Sequence, residues 1–275
     1  MPELAEVETT RRGILPLICD QTVAEVIIRH HQLRWAVPGE IVDLLPGKRF
    51  MDVERRGKYL LLRTDIGTLI VHLGMSGCLR VIDAATPAQK HDHVDILFEN
   101  GMCLRYTDPR RFGAILWTTT DPLQHKLLEN LGPEPLTSAF NARYLSQQAE
   151  RRKVPIKTLI MNSHVVVGVG NIYATESLFR AKIHPLQSAG DLNDEQSQLL
   201  VSAIKAVLRA AIKQGGTTLR DFRNSDGKPG YFRHQLQVYG RAGKPCLVCG
   251  TKLVALKIAQ RTTVYCPACQ PSHML

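Results

Sequence analysis

With 275 residues the chain is long enough for two domains, each burying its own core. Its 44% hydrophobic content is ordinary for a globular protein, and no apolar run approaches the roughly 18–20 residues that a helical membrane span needs. The formal net charge of +10 favours a polyanionic partner, and the acidic start excludes a secretory signal, so a cytoplasmic location and no membrane partner are expected.

The chain opens Met1-Pro2-Glu3-Leu4-Ala5-Glu6-Val7-Glu8. A small second residue favours removal of Met1, which leaves a secondary amine with carboxylates close by at Glu3 and Glu6. An α-amino group has a reference pKa of about 7.7–8.0, so a usable fraction is uncharged and nucleophilic near neutrality. Glu3 and Glu6 project from one face of a helix, and Pro2 suits the first helical turn. The same residues also read as an ordinary helix start whose acids suit the macrodipole. Both readings stand on this stretch alone.

Residues 3–14 read as a short helix. From Val23 to Trp117 the pattern changes to short β-type runs: Thr22–Ile28, Lys58–Thr64, Thr68–Leu73, Cys78–Ile82, Val94–Phe98, Cys103–Thr107 and Ala114–Thr118. Turn residues separate them, among them Pro38-Gly39, Pro46-Gly47, Gly57 and Asn100-Gly101. Strands at this spacing predict an antiparallel sandwich or barrel. Leu131-Gly132-Pro133-Glu134-Pro135 then reads as a linker, and the chain turns helical. Helices are expected over 140–149, 155–162, 171–180 and 194–213. The last is the clearest: Asn193 is its N-cap with Gln196 at the third position, and Gly215-Gly216 stops it.

Cys246-Leu-Val-Cys249 and Cys266-Pro-Ala-Cys269 are separated by sixteen residues. Four thiolates at that spacing match a closed tetrahedral Zn²⁺ site, in which protein fills every position and the metal is structural. Two disulfides are the competing reading, disfavoured in a cytosolic chain. The intervening Leu253–Ile258 and Thr262–Tyr265 read as a two-stranded ribbon with Gln260-Arg261 at its tip, where an Arg can reach a phosphate. Cys19, Cys78 and Cys103 sit in apolar contexts and read as small core residues. Between residues 210 and 261 ten Lys or Arg face only Asp221 and Asp226, a net of +8, interleaved with Phe222, Tyr231, Phe232 and Tyr239. That mixture points to a nucleic-acid surface beyond a merely solvated basic face.

Three loops add to this. Gly168-Val169-Gly170-Asn171 precedes a helix start, where backbone N–H groups and the Asn171 amide suit a phosphate, although a glycine-rich helix link looks the same. Arg55-Arg56-Gly57-Lys58-Tyr59 offers cations at a hairpin, with a solvated edge as the alternative. His72-Leu73-Gly74-Met75-Ser76-Gly77 and Asp108-Pro109-Arg110-Arg111-Phe112-Gly113 present Met75, Arg110 and Phe112 on turns, as apolar wedges entering a duplex require. Lys90-His91-Asp92-His93 carries too few ligands for a metal and suits phosphate contact or ordinary hydrogen bonding.

In their order along the chain, the proline start, Arg56-Gly57-Lys58, the two glycine-flanked loops, Gly168-Val169-Gly170-Asn171-Ile172-Tyr173-Ala174 and the four-cysteine ribbon resemble the bacterial formamidopyrimidine-DNA glycosylases, which repair 8-oxoguanine. The resemblance implies an α+β multidomain fold: an N-terminal antiparallel β-sandwich with flanking helices, a helix–two-turn–helix domain and a four-cysteine zinc ribbon. The implied domains are a catalytic one over 1–130, a linker over 131–135, a DNA-binding domain with a lesion-capping loop over 136–239, and the zinc finger over 240–275. Carried over residue by residue, Pro2 is the nucleophile, Glu3 the proton donor and acceptor, Glu6 a supporting carboxylate and Lys58 a further catalytic cation. Met75, Arg110 and Phe112 fill the gap left by a flipped nucleotide, and His91, Asn171 and Arg261 hold phosphates. Ala5 stands where the family usually has Pro, and Thr107 where Asn is common. Neither departure removes a reacting group.

The implied activity is excision of oxidised purines from duplex DNA by a monomer, followed by cleavage of the abasic site by β,δ-elimination. A sister family acting on oxidised pyrimidines usually opens Pro-Glu-Gly-Pro-Glu, unlike this chain, and Thr217–Tyr231 resembles the loop that closes over a damaged purine. A non-enzymatic zinc-ribbon DNA-binding protein also accounts for the charge and the cysteines, but it leaves the N-terminal Pro beside two carboxylates without a purpose.

Overall fold

Alternating apolar residues dominate the first half of the chain and helical stripes the second, and the architecture changes at the same place. The computed structural model describes residues 2–217 and 232–272. They fall into two compact units, Met1–Glu129 with Ile212–Arg233, and Asn130–Ala211 with His234–Leu275.

The first unit begins with α1 (Leu4–Ile18) and continues through β1 (Val23–Ile28), the short α2 (Ile41–Leu44), β2 (Asp52–Arg56), β3 (Tyr59–Arg63), β4 (Thr68–His72), β5 (Cys78–Asp83), β6 (Asp92–Phe98), β7 (Met102–Thr107) and β8 (Ala114–Thr118). Two four-stranded sheets form, ordered β1-β6-β7-β5 and β2-β3-β4-β8, with every pairing antiparallel. Val26, Ile96, Leu104 and Leu79 from one sheet share a core with Val53, Leu62, Val71 and Ile115 from the other, and Val7, Ile14 and Ile18 of α1 join it. This is the expected sandwich, held by apolar faces removed from water.

All seven expected strands are present, and β2 is added to them. Its sequence, Asp-Val-Glu-Arg-Arg, buries only Val53 fully, so it carries almost no apolar alternation. The first helix runs four residues beyond its expected end, through Gly13 and Pro16, because Ile14 and Ile18 are fully buried. Pro2 lies outside the first turn: Glu3 is the N-cap and the helix proper starts at Leu4.

The second unit holds α3 (Ala142–Ala149), α4 (Ile156–Ile160), α5 (Asn171–Arg180), most of α6 (Asp194–Lys213) and the hairpin β9 (Val254–Ile258) with β10 (Arg261–Tyr265). The expected capping box is formed at α6. Gln196 N–H donates to Asn193 Oδ1 at 2.8 Å, and Asn193 N–H donates to Gln196 Oε1 at 3.2 Å. Phe179 of α5 packs with Val238, Leu253 and Val264 around Cys246 and Cys266, which seats the ribbon on the helix. Gln270, almost fully buried, donates to Ile183 C=O at 2.8 Å and accepts from Cys266 N–H at 3.0 Å. Cys78 and Cys103 are buried, while Cys19 is half-buried. Of the segment Thr217–Tyr231 only Thr217 lies among the described residues. No described helix is long and apolar enough to cross a membrane.

Candidate active site and nucleic-acid interface

At the start of α1 the two carboxylates bind the helix end and each other's backbone. Glu3 accepts from Glu6 N–H, and Glu3 N–H donates to Glu6 Oε2 at 2.8 Å, so two amides that a helix start would leave unpaired are satisfied. The other Glu6 oxygen accepts from Thr217 N–H at 2.7 Å. A Cβ on Gly216 would stand 3.0 Å from Glu6 Oε1, and the backbone there has φ +83°, so glycine alone lets the chain pass this close. Pro2, Glu3 and Glu6 are all buried. The helix-start reading and the catalytic reading therefore use the same geometry.

Lys58 is the second residue of the two-residue turn between β2 and β3. Gly57 precedes it with φ +58°, the glycine position of a type II′ hairpin. Behind the turn, the His72 ring lies against Tyr59 at a tilt, with centroids 4.8 Å apart and 46° between the planes. Burial first, then the charges of Lys58 and Arg34, hold His72 down at about 4. The ring is neutral at pH 7, and its Nδ1 accepts from Gly74 N–H at 3.1 Å, which places the proton on Nε2. The sequence motif contained His72 but gave it no role.

The loops carrying Met75, Arg110 and Phe112 are joined through Asp108, which has no solvent exposure. Its Oδ1 accepts from Ser76 Oγ at 2.6 Å and Arg110 N–H at 3.3 Å; its Oδ2 accepts from Gly113 N–H at 2.9 Å and the Tyr106 hydroxyl at 3.2 Å. A Cβ on Gly74 would lie 2.4 Å from the Phe112 carbonyl carbon, and one on Gly113 would lie 1.8 Å from the Tyr106 oxygen. The two loops thus form one body from which Phe112 stands 47% exposed. The Arg110 guanidinium lies over its ring at 4.9 Å. Asp108 went unassigned in the sequence because Ser76, the partner that ties in the other loop, lies 32 positions away.

His91 adjoins the same body: its C=O accepts from Asp108 N–H at 3.0 Å, and His93 Nε2–H donates to Asp108 C=O at 2.8 Å. A pocket of about 400 Å³ opens here between Arg29, Lys90, His91, His93 and Arg111. Asp92 also lines it, so Arg29, Lys90 and Arg111 face one carboxylate, a balance that suits an anion.

In the second unit Asn171 opens α5, and its Nδ2 donates to Thr262 C=O on the ribbon at 3.1 Å. Lys157, only 1% exposed, donates to Asn171 Oδ1 at 2.5 Å and to Thr263 Oγ1 at 2.6 Å. Arg152, Lys157 and Arg261 line one pocket of about 400 Å³. Asn171 thus bonds the backbone of the residue next to Arg261. Lys157 was missed, since a lysine between Ile156 and Leu159 reads as solvent-facing. The ribbon turn is Ala259-Gln260, both with positive φ, and Arg261 is the first residue of β10, one place beyond the expected tip.

The four cysteine sulfurs lie within 4.8 Å of one another. Pairs such as Cys249–Cys266 at 3.5 Å and Cys246–Cys269 at 4.0 Å bracket the roughly 3.8 Å edge of a tetrahedron with Zn–S near 2.3 Å. Val248 N–H and Cys269 N–H each approach a cysteine sulfur at 3.4 Å, the outer contacts that stabilise thiolates. The four residues fit one structural Zn²⁺.

Three stretches of the chain match known domains. Residues 1–115 match the formamidopyrimidine-DNA glycosylase N-terminal domain, 131–223 its H2TH domain, and 243–271 a zinc finger found in these enzymes and in IleRS. The chain belongs to the formamidopyrimidine-DNA glycosylase family. It is 55% identical to the formamidopyrimidine-DNA glycosylase of Shewanella pealeana, with 98% of this chain and 99% of the relative covered. The Saccharophagus degradans protein of the same name is 56% identical over 98% of this chain and all of the relative. Among solved structures, the MutM (Fpg) protein of Thermus thermophilus superposes with a TM-score of 0.87 at 38% identity, covering 98% of both chains. A Lactococcus lactis Fpg mutant in complex with Fapy-dG-containing DNA superposes at 0.92 and 34% identity, over 98% of this chain and all of that one. The zinc finger, the sandwich and the helical domain are therefore family features of an enzyme, and the non-enzymatic reading falls.

Proposed function

We propose that this chain is a bifunctional DNA glycosylase and abasic-site lyase that removes oxidised purines, 8-oxoguanine and formamidopyrimidines, from duplex DNA. The observation that carries this reading is Pro2, whose nitrogen becomes a secondary amine once Met1 is removed, beside buried Glu3 and Glu6 in a chain of this family. The Lactococcus lactis Fpg, solved as a mutant with Fapy-dG DNA and also with abasic-site DNA, supports the substrate class.

A duplex hides C1′ of the target, so the nucleotide must first leave the stack at a cost of a few kcal/mol. Met75, Arg110 and Phe112 occupy the gap, with Arg110 facing the orphaned base, and His91, Asn171 and Arg261 hold phosphates. The uncharged Pro2 nitrogen attacks C1′ as the bond from C1′ to the base breaks. The base leaves with that electron pair and takes up the proton that the Pro2 nitrogen loses, and Glu3 protonates O4′ as the sugar ring opens. Glu6 holds the helix start, and Lys58 supplies a cation at the reacting sugar. The Pro2–C1′ adduct is an iminium, positively charged without further protonation. It acidifies C2′, and loss of that proton expels the 3′ phosphate; a second elimination expels the 5′ phosphate. Zinc takes no direct part. The location is cytoplasmic, with the DNA as partner.

The expected product from a duplex carrying 8-oxoguanine opposite cytosine is a one-nucleotide gap flanked by phosphates on both sides, resolved on a denaturing gel. Faster cleavage of an oxidised-pyrimidine duplex would move the chain to the sister specificity. The wedge is tested separately. Phe112→Ala should slow processing of the base-paired lesion by about ten- to a hundredfold, the scale of one base–aromatic stack. Cleavage of a preformed abasic site, which needs less unstacking, should change much less. Equal losses on both substrates would instead mean a misfolded loop.

A further inference from the structure

The first helix and the hairpin carrying Lys58 are bolted together by a side chain with no assigned part in the reaction. Glu8 lies on α1, five residues after the N-cap Glu3, and is 8% exposed. Three guanidinium groups converge on it: Arg11 on both oxygens at 3.0 and 3.1 Å, Arg12 at 2.7 Å and Arg55 Nε at 3.1 Å. Burial would push the Glu8 carboxyl up, but hydrogen bonds from Arg11 and Arg12, with the nearby charges, bring it down to about 2. Glu8 is an anion throughout the working pH range, and Arg55 has a fixed counter-charge.

Arg55 uses a different nitrogen for a second bond: Nη1 donates to Gly57 C=O at 3.0 Å. That carbonyl belongs to the peptide group joining Gly57 to Lys58, so the bond fixes the plane from which Lys58 departs. A hairpin tip is ordinarily a mobile part of a sheet. This one is clamped by a planar fork that engages both ends at once, which a lysine cannot imitate. Arg11 adds a parallel strut, from Glu8 to Val53 C=O on β2 at 3.2 Å.

We infer that Arg55, oriented by Glu8, is a positioning residue: it holds the Gly57–Lys58 peptide at a set place relative to the helix that starts at Glu3. This rests on the reading of Lys58 and Pro2 given above. Because catalysis tolerates little misplacement, a loosened Lys58 costs rate without costing substrate binding or folding.

The test uses the full, zinc-loaded chain lacking Met1 and a duplex with 8-oxoguanine opposite cytosine, under single-turnover conditions. Arg55→Lys, Lys58→Met and the double variant are compared for excision rate, DNA affinity and melting midpoint. Arg55→Lys should slow excision by about ten- to a hundredfold with affinity kept. In the Lys58→Met background the same change should slow it further by less than about twofold, since coupled residues are non-additive. An Arg55 effect of equal size in both backgrounds would make it a general structural pair, and a silent Arg55→Lys beside a slow Lys58→Met would show that Lys58 needs no clamp. Either overturns the proposal alone. A fast Lys58→Met would overturn the Lys58 reading and this proposal with it. If Arg55→Lys melts below assay temperature, Arg55→Gln, neutral but still an N–H donor, carries the same comparison.

Discussion

Acetylation of the Pro2 nitrogen, or retention of Met1, should abolish both base excision and covalent trapping while leaving DNA bound. Either change converts the amine to an amide, whose lone pair is delocalised and no longer attacks C1′. The four cysteines, Arg261 and Asn171 are untouched, so affinity should persist. Removing a nucleophile while keeping binding contacts lowers the rate by at least about a thousandfold. The measurement is borohydride reduction on 8-oxoguanine-containing DNA, followed by peptide mapping. The adduct should map to the N-terminal Pro2 and not to Lys58, the other amine on offer. Pro2→Gly is a weaker test because it keeps an amine. Glu3→Gln separates the roles: base excision should fall with the amine still present, and the Glu3–Glu6 capping pattern keeps an acceptor at the N-cap. A chain still carrying Met1 that excised and cross-linked at the normal rate would falsify the assignment of Pro2.

Features set by neighbours along the chain were legible in the sequence itself. The box between Asn193 and Gln196 and the two Cys-x-x-Cys knuckles need only a spacing of three residues, so local chemistry determines them. Features built from distant partners were not. Strand β2 is invisible to apolar periodicity because its charged side chains serve as ties, with Arg55 reaching Glu8 across 47 positions. Lys157 reads as a surface residue until Thr263, 106 positions away, supplies an acceptor for its ammonium. The ribbon tip was misplaced by one residue because Ala259 and Gln260 adopt left-handed conformations that sequence reasoning reserves for Gly or Asn. Motifs located Met75, Arg110 and Phe112, but the body that carries them depends on Asp108 bonding Ser76, 32 positions away, which no local spacing announces.

The second large effect concerns the zinc. The apolar residues that seat the ribbon are Phe179, Val238, Leu253 and Val264, too few to fold a hairpin without help. A structural Zn²⁺ contributes an apparent binding energy of about 10–16 kcal/mol, so the metal decides whether β9 and β10 exist. Cys249 is the exposed ligand of the four, and its replacement creates no buried cavity. Cys249→Ser should release the single zinc, read by metal analysis, and unfold the ribbon. Arg261 then leaves its pocket, and Lys157 loses Thr263 and must be rehydrated. DNA affinity should fall by at least about tenfold, and the dependence of log K on log salt should flatten by about 0.9 for each phosphate no longer neutralised. The sandwich has its own core, from Val26 to Ile115, and should keep its melting transition. Full zinc retention in Cys249→Ser would overturn the four-thiolate site, and zinc loss with unchanged affinity and salt slope would show that the ribbon folds without its metal and that Arg261 is held by the apolar packing alone.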